Sequence, residues 1–268
     1  MKKIFLIFFL IFFSLNSASA NRDITNLKMK PSVHKGKKGK PYEVVQSKNG
    51  EPTIGKKAYK FTLLPYDCGS DPGKFSDCKA RPIRARSEIG AWKNTFSSIK
   101  SERWISFSIF LPENYQSVFP TRASFFQIYK KGLGPILMLR DLGNDLLIAG
   151  IMESNSAEII SGKANLVNIS EMLGEWTHFK IHLKYTNETD GFWKFYVNDK
   201  LKYHLEGATR GIVKSNNGLY VKVGIYQTGT DVYKKFHQKD IPTQTIYMDN
   251  IFVSKTEKGL IKLIDKAK

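Results

Sequence analysis

Residues 220–227 read Tyr-Val-Lys-Val-Gly-Ile-Tyr-Gln, a run in which apolar and polar side chains alternate. Successive side chains of a β-strand point to opposite faces of the sheet. The core face is predicted to take the three apolar residues, Val221, Val223 and Ile225. Tyr220, Lys222 and Tyr226 then share the outer face, where Gly224 leaves room for a ligand to approach the backbone. The run therefore predicts a half-buried strand whose outer face carries one lysine and two tyrosines.

Similar runs recur from residue 58 onward, separated by Gly, Pro, Asn and Asp. The clearest are 58–64, 104–111, 123–129, 136–140, 146–151, 176–185, 192–197, 219–226 and 245–253. Short strands at fairly regular spacing are typical of an antiparallel sandwich or jelly roll. Helical periodicity is weak apart from a turn near 87–96 and a C-terminal piece from Lys258. We therefore predict an all-β fold of two packed antiparallel sheets.

The composition of the 268-residue chain supports one large domain. Apolar residues make up 41% and aromatic residues 13%, which is enough for a sizeable core. The sequence has no internal repeat and no interior linker, so we assign residues 58–268 to one jelly-roll domain. The formal net charge of +18 predicts an anionic partner, which nucleic acid, phospholipid and acidic polysaccharide would all satisfy.

The first 20 residues have the three parts of a secretory signal. Lys2 and Lys3 precede the apolar run 4–13, and Ala-Ser-Ala at 18–20 supplies the small residues before a cleavage site. The apolar run is shorter than the ~20 residues that a membrane span requires. We therefore predict a secreted or periplasmic protein with no membrane span after cleavage. Export makes nucleic acid a poor candidate partner.

Residues 21–57 are polar and basic, and include His-Lys-Gly-Lys-Lys-Gly-Lys at 34–40. Gly and Lys at this density predict a mobile or loosely docked N-terminal arm. Such an arm is either a solvated tail or a specific anion site. The composition alone favours the solvated tail.

The two cysteines, Cys68 and Cys78, lie ten residues apart in a strongly turn-forming context, Asp-Cys-Gly-Ser-Asp-Pro-Gly at 67–73. In an exported protein a local disulfide across this loop is the expected state, and a reactive thiol is the alternative. The loop precedes residues 84–89, so a disulfide here would hold that segment in place.

Two further segments place polar side chains at the same period of two. In Arg-Ala-Arg-Ser-Glu-Ile, residues 84–89, the side chains that share a face are Arg84, Arg86 and Glu88. In Phe-Phe-Gln-Ile-Tyr-Lys, residues 125–130, Gln127 and Tyr129 share one. Exposed strand faces are commonly polar, so the prediction of a functional site depends on all three segments together.

The three segments resemble the signature strands of jelly-roll polysaccharide lyases, the group that includes alginate lyases, glucuronan lyases and heparin lyase I. Those families have an Arg-Ser-Glu-Leu-like strand, a Gln-Ile-His-like strand and a Tyr-Phe-Lys-Ala-Gly-Val-Tyr-like strand, in that order. The corresponding segments here are 86–89, 127–129 and 220–226, and the likeness extends from about residue 84 to 253. The resemblance implies a concanavalin-like jelly roll and a lyase that cleaves an acidic, uronate-containing polysaccharide by β-elimination. We also expect a monomer.

The chemistry of that reaction explains these residue types. A uronate lyase removes the proton at C5, beside the carboxylate, and expels the sugar oxygen at C4. The carboxylate must be neutralised as an enolate-like state develops, and Arg86 and Gln127 have the donors for this. The resemblance puts Tyr226 in the role of base and acid. Tyrosine is a weak base at its reference pKa of about 10, and cations such as Lys222 favour a phenolate. Glu88 is expected to orient Arg86.

The predicted site has two parts. The catalytic residues are Tyr226, Arg86, Gln127 and Tyr129. The substrate-binding residues are Arg84, Lys222, Tyr220, Lys130 and Glu88, with Lys131 as a further candidate. Two departures from the family pattern bear on the site. Tyr129 stands where the family has a catalytic histidine, so it substitutes for that group, contacts the sugar, or marks a lost activity. Gly90 stands where alginate lyases often carry a second arginine, which argues against alginate as the substrate.

Other classes of function find less support. The sequence has no nucleophile elbow, phosphate loop or dinucleotide fingerprint, and no histidine spacing that fits a metal site in this strand context. We therefore predict no cofactor and no metal. Hydrolysis would need paired carboxylates in the cleft, whereas the candidate faces are basic and phenolic. Two alternatives to a lyase remain: a non-catalytic carbohydrate-binding jelly roll for anionic glycans, and an adhesive protein that uses its basic arm.

Overall fold

A computed structural model describes residues 23–33, 36, 38–71, 75–92, 101–130, 134–151, 163–186, 188–209 and 218–268. The predicted signal segment and Lys131 lie outside the described residues. The strands are β1 Lys30–Pro31, β2 Glu43–Gln46, β3 Lys57–Leu63, β4 Ser70–Asp71, β5 Phe75–Ser76, β6 Arg84–Gly90, β7 Glu102–Phe110, β8 Arg122–Lys130, β9 Gly134–Asp141, β10 Leu146–Ile151, β11 Lys163–Asn168, β12 Trp176–Lys184, β13 Phe192–Val197, β14 Lys200–Glu206, β15 Leu219–Thr228 and β16 Gln244–Ser254. The helices are α1 Thr230–His237 and α2 Glu257–Ala267, and short 3-10 turns span Ser47–Asn49 and Ser170–Met172.

Two seven-stranded sheets pack face to face. The front sheet has the order β1-β6-β15-β8-β9-β10-β11, and the back sheet has the order β14-β13-β12-β7-β16-β3-β2. Neighbouring strands in both sheets are antiparallel. The predicted all-β jelly roll of two packed antiparallel sheets is therefore confirmed.

The core lies between the sheets and is rich in aromatic rings. Phe126 of the front sheet stacks on Phe107 of the back sheet, with ring centroids 3.9 Å apart. The apolar residues of the opening segment are buried against this core as the alternation predicted, at Val221, Val223 and Ile225. Burying an apolar side chain of this size contributes about 1.5–3 kcal/mol. The same burial forces the polar residues of β15 onto the outer face of the front sheet.

The described part of residues 21–57 is built into the jelly roll, so the prediction of a loosely docked arm is wrong there. Ile24 is fully buried, and Thr25 forms a β-bridge with Ile251. β1 pairs with β6 at one edge of the front sheet, and β2 pairs with β3 at one edge of the back sheet. The basic composition concealed these contacts because each strand is only two to four residues long. The boundary predicted at residue 58 is not an edge of the fold.

The helices also differ from expectation. The C-terminal helix predicted from Lys258 is confirmed as α2, where the Thr256 side chain accepts a hydrogen bond from the Gly259 amide at 3.1 Å and caps the first turn. Helix α1 was not predicted. The helical turn expected near 87–96 is wrong at its start, since 87–90 belong to β6, and 93–96 lie outside the described residues. No described helix is long and apolar enough to cross a membrane.

Candidate active site

The three segments singled out in the sequence are neighbouring strands of the front sheet. β15 lies between β6 and β8. Its register places Tyr226 opposite Arg86 of β6, and Lys222 opposite Gln127 of β8. Tyr220 lies opposite Tyr129 in the same way. The fold therefore brings most of the predicted site onto one outer face, although the segments are far apart in the chain.

Two register irregularities shape this face. The register between β8 and β9 shifts between Ser124 and Phe126, and the register between β15 and β8 shifts beside the same point. Both Phe125 and Phe126 are consequently buried in the core, while Ser124 and Gln127 remain on the outer face. A bulge of this kind re-aims side chains and increases the local twist, and bulges often lie next to active sites.

Gly224 is required by strand packing and not by a ligand. Its φ is +123°, and a Cβ at this position would lie 2.3 Å from the backbone oxygen of Ser87 and 2.9 Å from Glu88 Cα. The close approach of β6 therefore excludes any side chain at this position. The interpretation of Gly224 as an opening for substrate is wrong.

Glu88 is the centre of a buried polar cluster. Its Oε2 accepts a hydrogen bond from Arg86 Nη1 at 3.2 Å and pairs with Lys222 Nζ. Its Oε1 accepts a hydrogen bond from Gln127 Nε2. Buried charges require such partners because desolvation is costly. Glu88 thus fixes three of the predicted site residues at once, on three adjacent strands.

Asp77 is a second carboxylate in this cluster and was not predicted from the sequence. Its two oxygens accept hydrogen bonds from Nε and Nη2 of Arg86, each at 2.7 Å. This fork-to-fork arrangement is the strongest geometry available to an arginine and a carboxylate. Burial alone would lower the pKa of Arg86, but Glu88 and Asp77 outweigh it and raise that pKa. Arg86 is therefore permanently charged and rigidly placed.

The disulfide lies directly beside Asp77. Cys68 and Cys78 are bonded, which confirms the predicted pairing across ten residues. The Asp77 amide also donates a hydrogen bond to the Gly69 backbone oxygen at 2.8 Å, within the same loop. The cross-linked loop therefore holds Asp77, and Asp77 holds Arg86.

Tyr226 lies against the charged cluster and remains partly exposed. The guanidinium carbon of Arg86 lies 4.7 Å from the centroid of its ring, a cation–π distance. Ser124 of β8 lies opposite Tyr226 on its other side. A half-exposed phenol beside a fixed cation combines access for a ligand with a group that transfers protons.

Tyr129 and Tyr220 form a ring pair at the far end of the cluster. Their centroids are 5.2 Å apart, and Lys222 Nζ lies 5.4 Å from the Tyr129 centroid. Burial raises the pKa of Tyr129, and the positive charge of Arg86 opposes that shift. Burial also raises the pKa of Tyr220. Both phenols therefore stay protonated near neutral pH and act as hydrogen-bonding and packing groups.

Lys222 is buried beside the ring of Tyr129. Burial lowers the pKa of its ammonium group, the contact with Glu88 opposes that shift, and the charge of Arg86 adds to it. Lys222 and Arg86 together carry two positive charges, and Asp77 and Glu88 carry two negative charges. The inner cluster is therefore close to neutral, and it is held together by buried ion pairs.

The structure does not bring Lys130 to this face. Lys130 follows Tyr129 directly and so points to the opposite side of β8, where it is 1% exposed. Its Nζ lies 5.5 Å from the ring centroid of Tyr185, a member of the core between the sheets. The assignment of Lys130 as a substrate-binding residue is therefore wrong, because a side chain in the core cannot contact a polymer outside it.

Arg84 lies on the site face but outside the inner cluster, opposite Thr228. Two other arginines of this face were not predicted from the sequence. Arg122 begins β8 and also lies opposite Thr228, and Arg140 of β9 lies opposite Ser124. The pairing of consecutive strands β8 and β9 as a hairpin was the available signal for Arg140, since hairpin partners share a sheet.

Gly90 is covered by an aromatic ring. A Cβ at Gly90 would lie 2.8 Å from Trp92 Cε3 and 3.2 Å from Lys222 Cγ. The indole of Trp92 therefore occupies the space beside Gly90 in which a larger side chain would have to fit. Alginate lyases often carry an arginine at this position, and here Trp92 occupies the space that such a side chain would need.

The comparisons with known proteins identify the family and the fold of the chain. The family model for polysaccharide lyases matches residues 26–252, and the chain belongs to that family. It is a polysaccharide lyase, and its substrate is a polysaccharide. A search of curated protein sequences found no significant match.

Solved structures of lyases share the fold. The chain is similar to the endo-β-1,4-glucuronan lyase of the fungus Trichoderma reesei, with a TM-score of 0.60 and 19% identity over 84% of this chain and 90% of that chain. It is also similar to a double-cysteine variant of alginate lyase A1-II′, with a TM-score of 0.52 and 12% identity over 74% of this chain and 80% of that chain. At these identities the likeness concerns the jelly-roll fold.

Proposed function

We propose that this polysaccharide lyase is exported and cleaves a uronate-containing polysaccharide by β-elimination, with Tyr226 as its proton-transferring residue. The observation that carries the proposal is the contact between Tyr226 and Arg86, on a face where Glu88 holds Gln127 and Lys222. A phenol, an amide donor and fixed cations are the groups that the elimination of a uronate needs.

Each group has a role in the proposed reaction. Gln127 donates a hydrogen bond to the carboxylate of the reacting sugar, and the charges of Arg86 and Lys222 stabilise the enolate-like state. The Tyr226 oxygen takes the proton from C5. The same oxygen returns a proton to the oxygen at C4 as that bond breaks, and a C4–C5 double bond forms. One phenol serves both steps when the proton and the leaving group lie on the same side of the ring.

In this scheme Tyr129 contacts the sugar and does not transfer protons. It stands where the resembled families have histidine, but burial raises the pKa of its hydroxyl. A neutral phenol next to Lys222 and Tyr220 can donate a hydrogen bond to a sugar oxygen. Tyr226 is partly exposed and has the shorter cation contact, 4.7 Å from Arg86 to its ring centroid against 5.4 Å from Lys222 to that of Tyr129. The proposal therefore places base and acid chemistry at Tyr226.

Formation of an unsaturated uronate tests this function, because the new double bond absorbs in the ultraviolet. Wild-type protein should generate such a product from at least one polymer in a panel of alginate, glucuronan and heparin. Cellulose, which lacks carboxylates, is the matched control and should give none. Binding of acidic polymers without any unsaturated product would contradict the proposal and favour an inactive carbohydrate-binding protein.

Export is tested by the N-terminus of the mature protein. The Cys68–Cys78 disulfide supports an oxidising compartment, and the three-part signal supports cleavage after Ala20. Expression in a host with a secretion pathway should yield protein outside the cytoplasm whose first residue is Asn21. Recovery of the full-length chain from the cytoplasm alone would contradict export.

A further inference from the structure

The outer face of the front sheet carries a second set of cations beyond Tyr226. Arg84 of β6 and Arg122 of β8 lie on either side of Thr228 of β15. Thr228 is two residues beyond Tyr226, in the direction away from Lys222. Same-face positions on one strand are about 7 Å apart, so this row lies roughly one sugar ring from the phenol.

Arg140 adds a third cation to this set. It lies opposite Ser124 on β9, and Ser124 lies opposite Tyr226, so Arg140 borders the row that contains the phenol. It is 8% exposed. We name Arg84, Arg122 and Arg140 the arginine group.

Arg84 and Arg122 differ from Arg86 in their charge balance. Arg86 is paired with two carboxylates. Across the described ranges, no carboxylate lies within salt-bridge distance of Arg84 or Arg122. The Nε of Arg84 is also buried without a hydrogen-bond partner. The missing acceptor leaves the charge of the partly exposed Arg84 uncompensated, and an anion beside its guanidinium group would offset that charge.

Arg140 lies beside a weak hydrogen-bond acceptor and close to the positive charge of Arg122. Its Nη2 lies 2.8 Å from Met138 Sδ, a weak acceptor. Burial lowers the pKa of Arg140, and the positive charge of Arg122 lowers it further. Like charges held close together repel each other, and an anion placed between them relieves that repulsion.

We propose that the arginine group binds a second acidic group of the polysaccharide, on the sugar next to the one that reacts at Tyr226. The planar guanidinium groups match carboxylate and sulfate oxygens, and they are less strongly hydrated than an ammonium group. The enzyme then prefers polymers with acidic groups on consecutive sugars over polymers in which uronates alternate with uncharged sugars. This inference rests on the proposed function, because it takes Tyr226 as the reacting position.

The test uses two polymers and a matched control variant. Arg122→Gln removes an exposed cation of the arginine group, and Lys202→Gln removes an exposed cation of β14 in the back sheet. Both are made in the Tyr226→Phe background, and dissociation constants are measured for glucuronan and for unsulfated hyaluronan. The first polymer has a carboxylate on every sugar, and the second has one on every other sugar.

Arg122→Gln should weaken glucuronan binding about tenfold or more, the loss expected for one charged hydrogen-bond donor. It should leave hyaluronan binding nearly unchanged, and Lys202→Gln should change neither. An equal effect of Arg122→Gln on both polymers, or an effect no larger than that of Lys202→Gln, would overturn the proposal. Arg122-dependent binding of glucuronan without unsaturated product from the wild-type enzyme would support the arginine group and contradict the proposed function instead.

Discussion

Asp77 accepts two hydrogen bonds of 2.7 Å from Arg86, and it lies next to the disulfide-bonded Cys78. Arg86 in turn lies 4.7 Å from the ring of Tyr226. A covalent cross-link, a buried ion pair and a cation–π contact therefore form one continuous connection from the loop to the phenol. The disulfide therefore fixes the loop that carries Asp77 beside β6.

The first prediction concerns the ion pair. Asp77→Asn leaves Arg86 buried with a single carboxylate partner, so the free energy of unfolding should fall by about 3–5 kcal/mol, as for other broken buried pairs. Turnover should also fall, because Arg86 loses the orientation that holds it against Tyr226. Denaturant unfolding and an assay for unsaturated product measure the two effects.

Asp240→Asn is the matched control for this prediction. Asp240 pairs with Lys234 at 3.0 Å on the protein surface, where both side chains are exposed. Its removal should leave stability and turnover almost unchanged, because exposed ion pairs contribute little. Equal losses in Asp77→Asn and Asp240→Asn would mean that the buried pair has no special role.

The second prediction concerns the disulfide. Reduction of Cys68–Cys78, or the double substitution Cys68→Ser/Cys78→Ser, should lower the free energy of unfolding by about 2–4 kcal/mol. Turnover should fall as well, since Asp77 is no longer fixed. Addition of a thiol reductant to the double variant is the control and should change nothing. Full activity of the reduced wild-type protein would contradict the coupling of this loop to the site.

The third prediction concerns pH and Asp249 of β16. Its carboxyl oxygens accept hydrogen bonds from the Asn250 and Ile54 amides at 2.7 and 3.1 Å. Burial raises the pKa of Asp249 to about 6, above the value of about 3.9 in an unfolded chain. The folded state therefore binds this proton more tightly, so its stabilising effect is complete below pH 4 and is lost as the pH rises through 6.

The corresponding measurement compares wild type with Asp249→Asn across this range. The free energy of unfolding of wild type, relative to the variant, should fall by about 2 kcal/mol between pH 4 and pH 7. Asn keeps an oxygen acceptor for the backbone amides but cannot ionise. A difference that is constant with pH, or that grows with rising pH, would show that Asp249 is not protonated in the folded state near pH 5.

The fourth prediction separates the tyrosines. Tyr129→Phe removes a hydroxyl that we assign to sugar contact, so it should raise KM and lower kcat by less than about tenfold, the effect of one neutral hydrogen bond. Steady-state kinetics on the preferred polymer provide the measurement. Loss of kcat as large as that in Tyr226→Phe would mean that Tyr129 replaces the histidine of the resembled families chemically.

The sequence predicted the fold and the inner part of the site because both depend on alternation. Residues two apart on three strands share a face, and the jelly roll makes those strands neighbours. Lys130 was assigned to the site incorrectly. It lies an odd number of residues from Gln127 and Tyr129, so alternation already predicts that it points into the core. Strict alternation also fails at Phe125 and Phe126, where a bulge turns two successive side chains into the core.

The parts that the sequence did not predict depend on contacts without a period. Asp77 belongs to a loop. In the sequence, only the neighbouring Cys78 indicates that this loop is held near β6. Arg122 joins the site through the register of β8 against β15, and Arg140 joins it through the register of β9 against β8. A one-residue shift in either pairing would move the side chain to the other face. Strands β1 and β2 are too short to show alternation, so the basic composition of residues 21–57 dominated the prediction.

In the proposed reaction, Tyr226 transfers the proton in β-elimination of a uronate polymer. The most direct test is the initial rate of ultraviolet-absorbing product from the preferred acidic polymer, measured for wild type and Tyr226→Phe alongside their dissociation constants. We predict that Tyr226→Phe lowers kcat by about 100-fold to 10,000-fold, the range for a lost acid–base residue, and leaves binding within about threefold, since the ring and its contact with Arg86 remain. Tyr226→Phe turnover close to that of wild type would contradict the account.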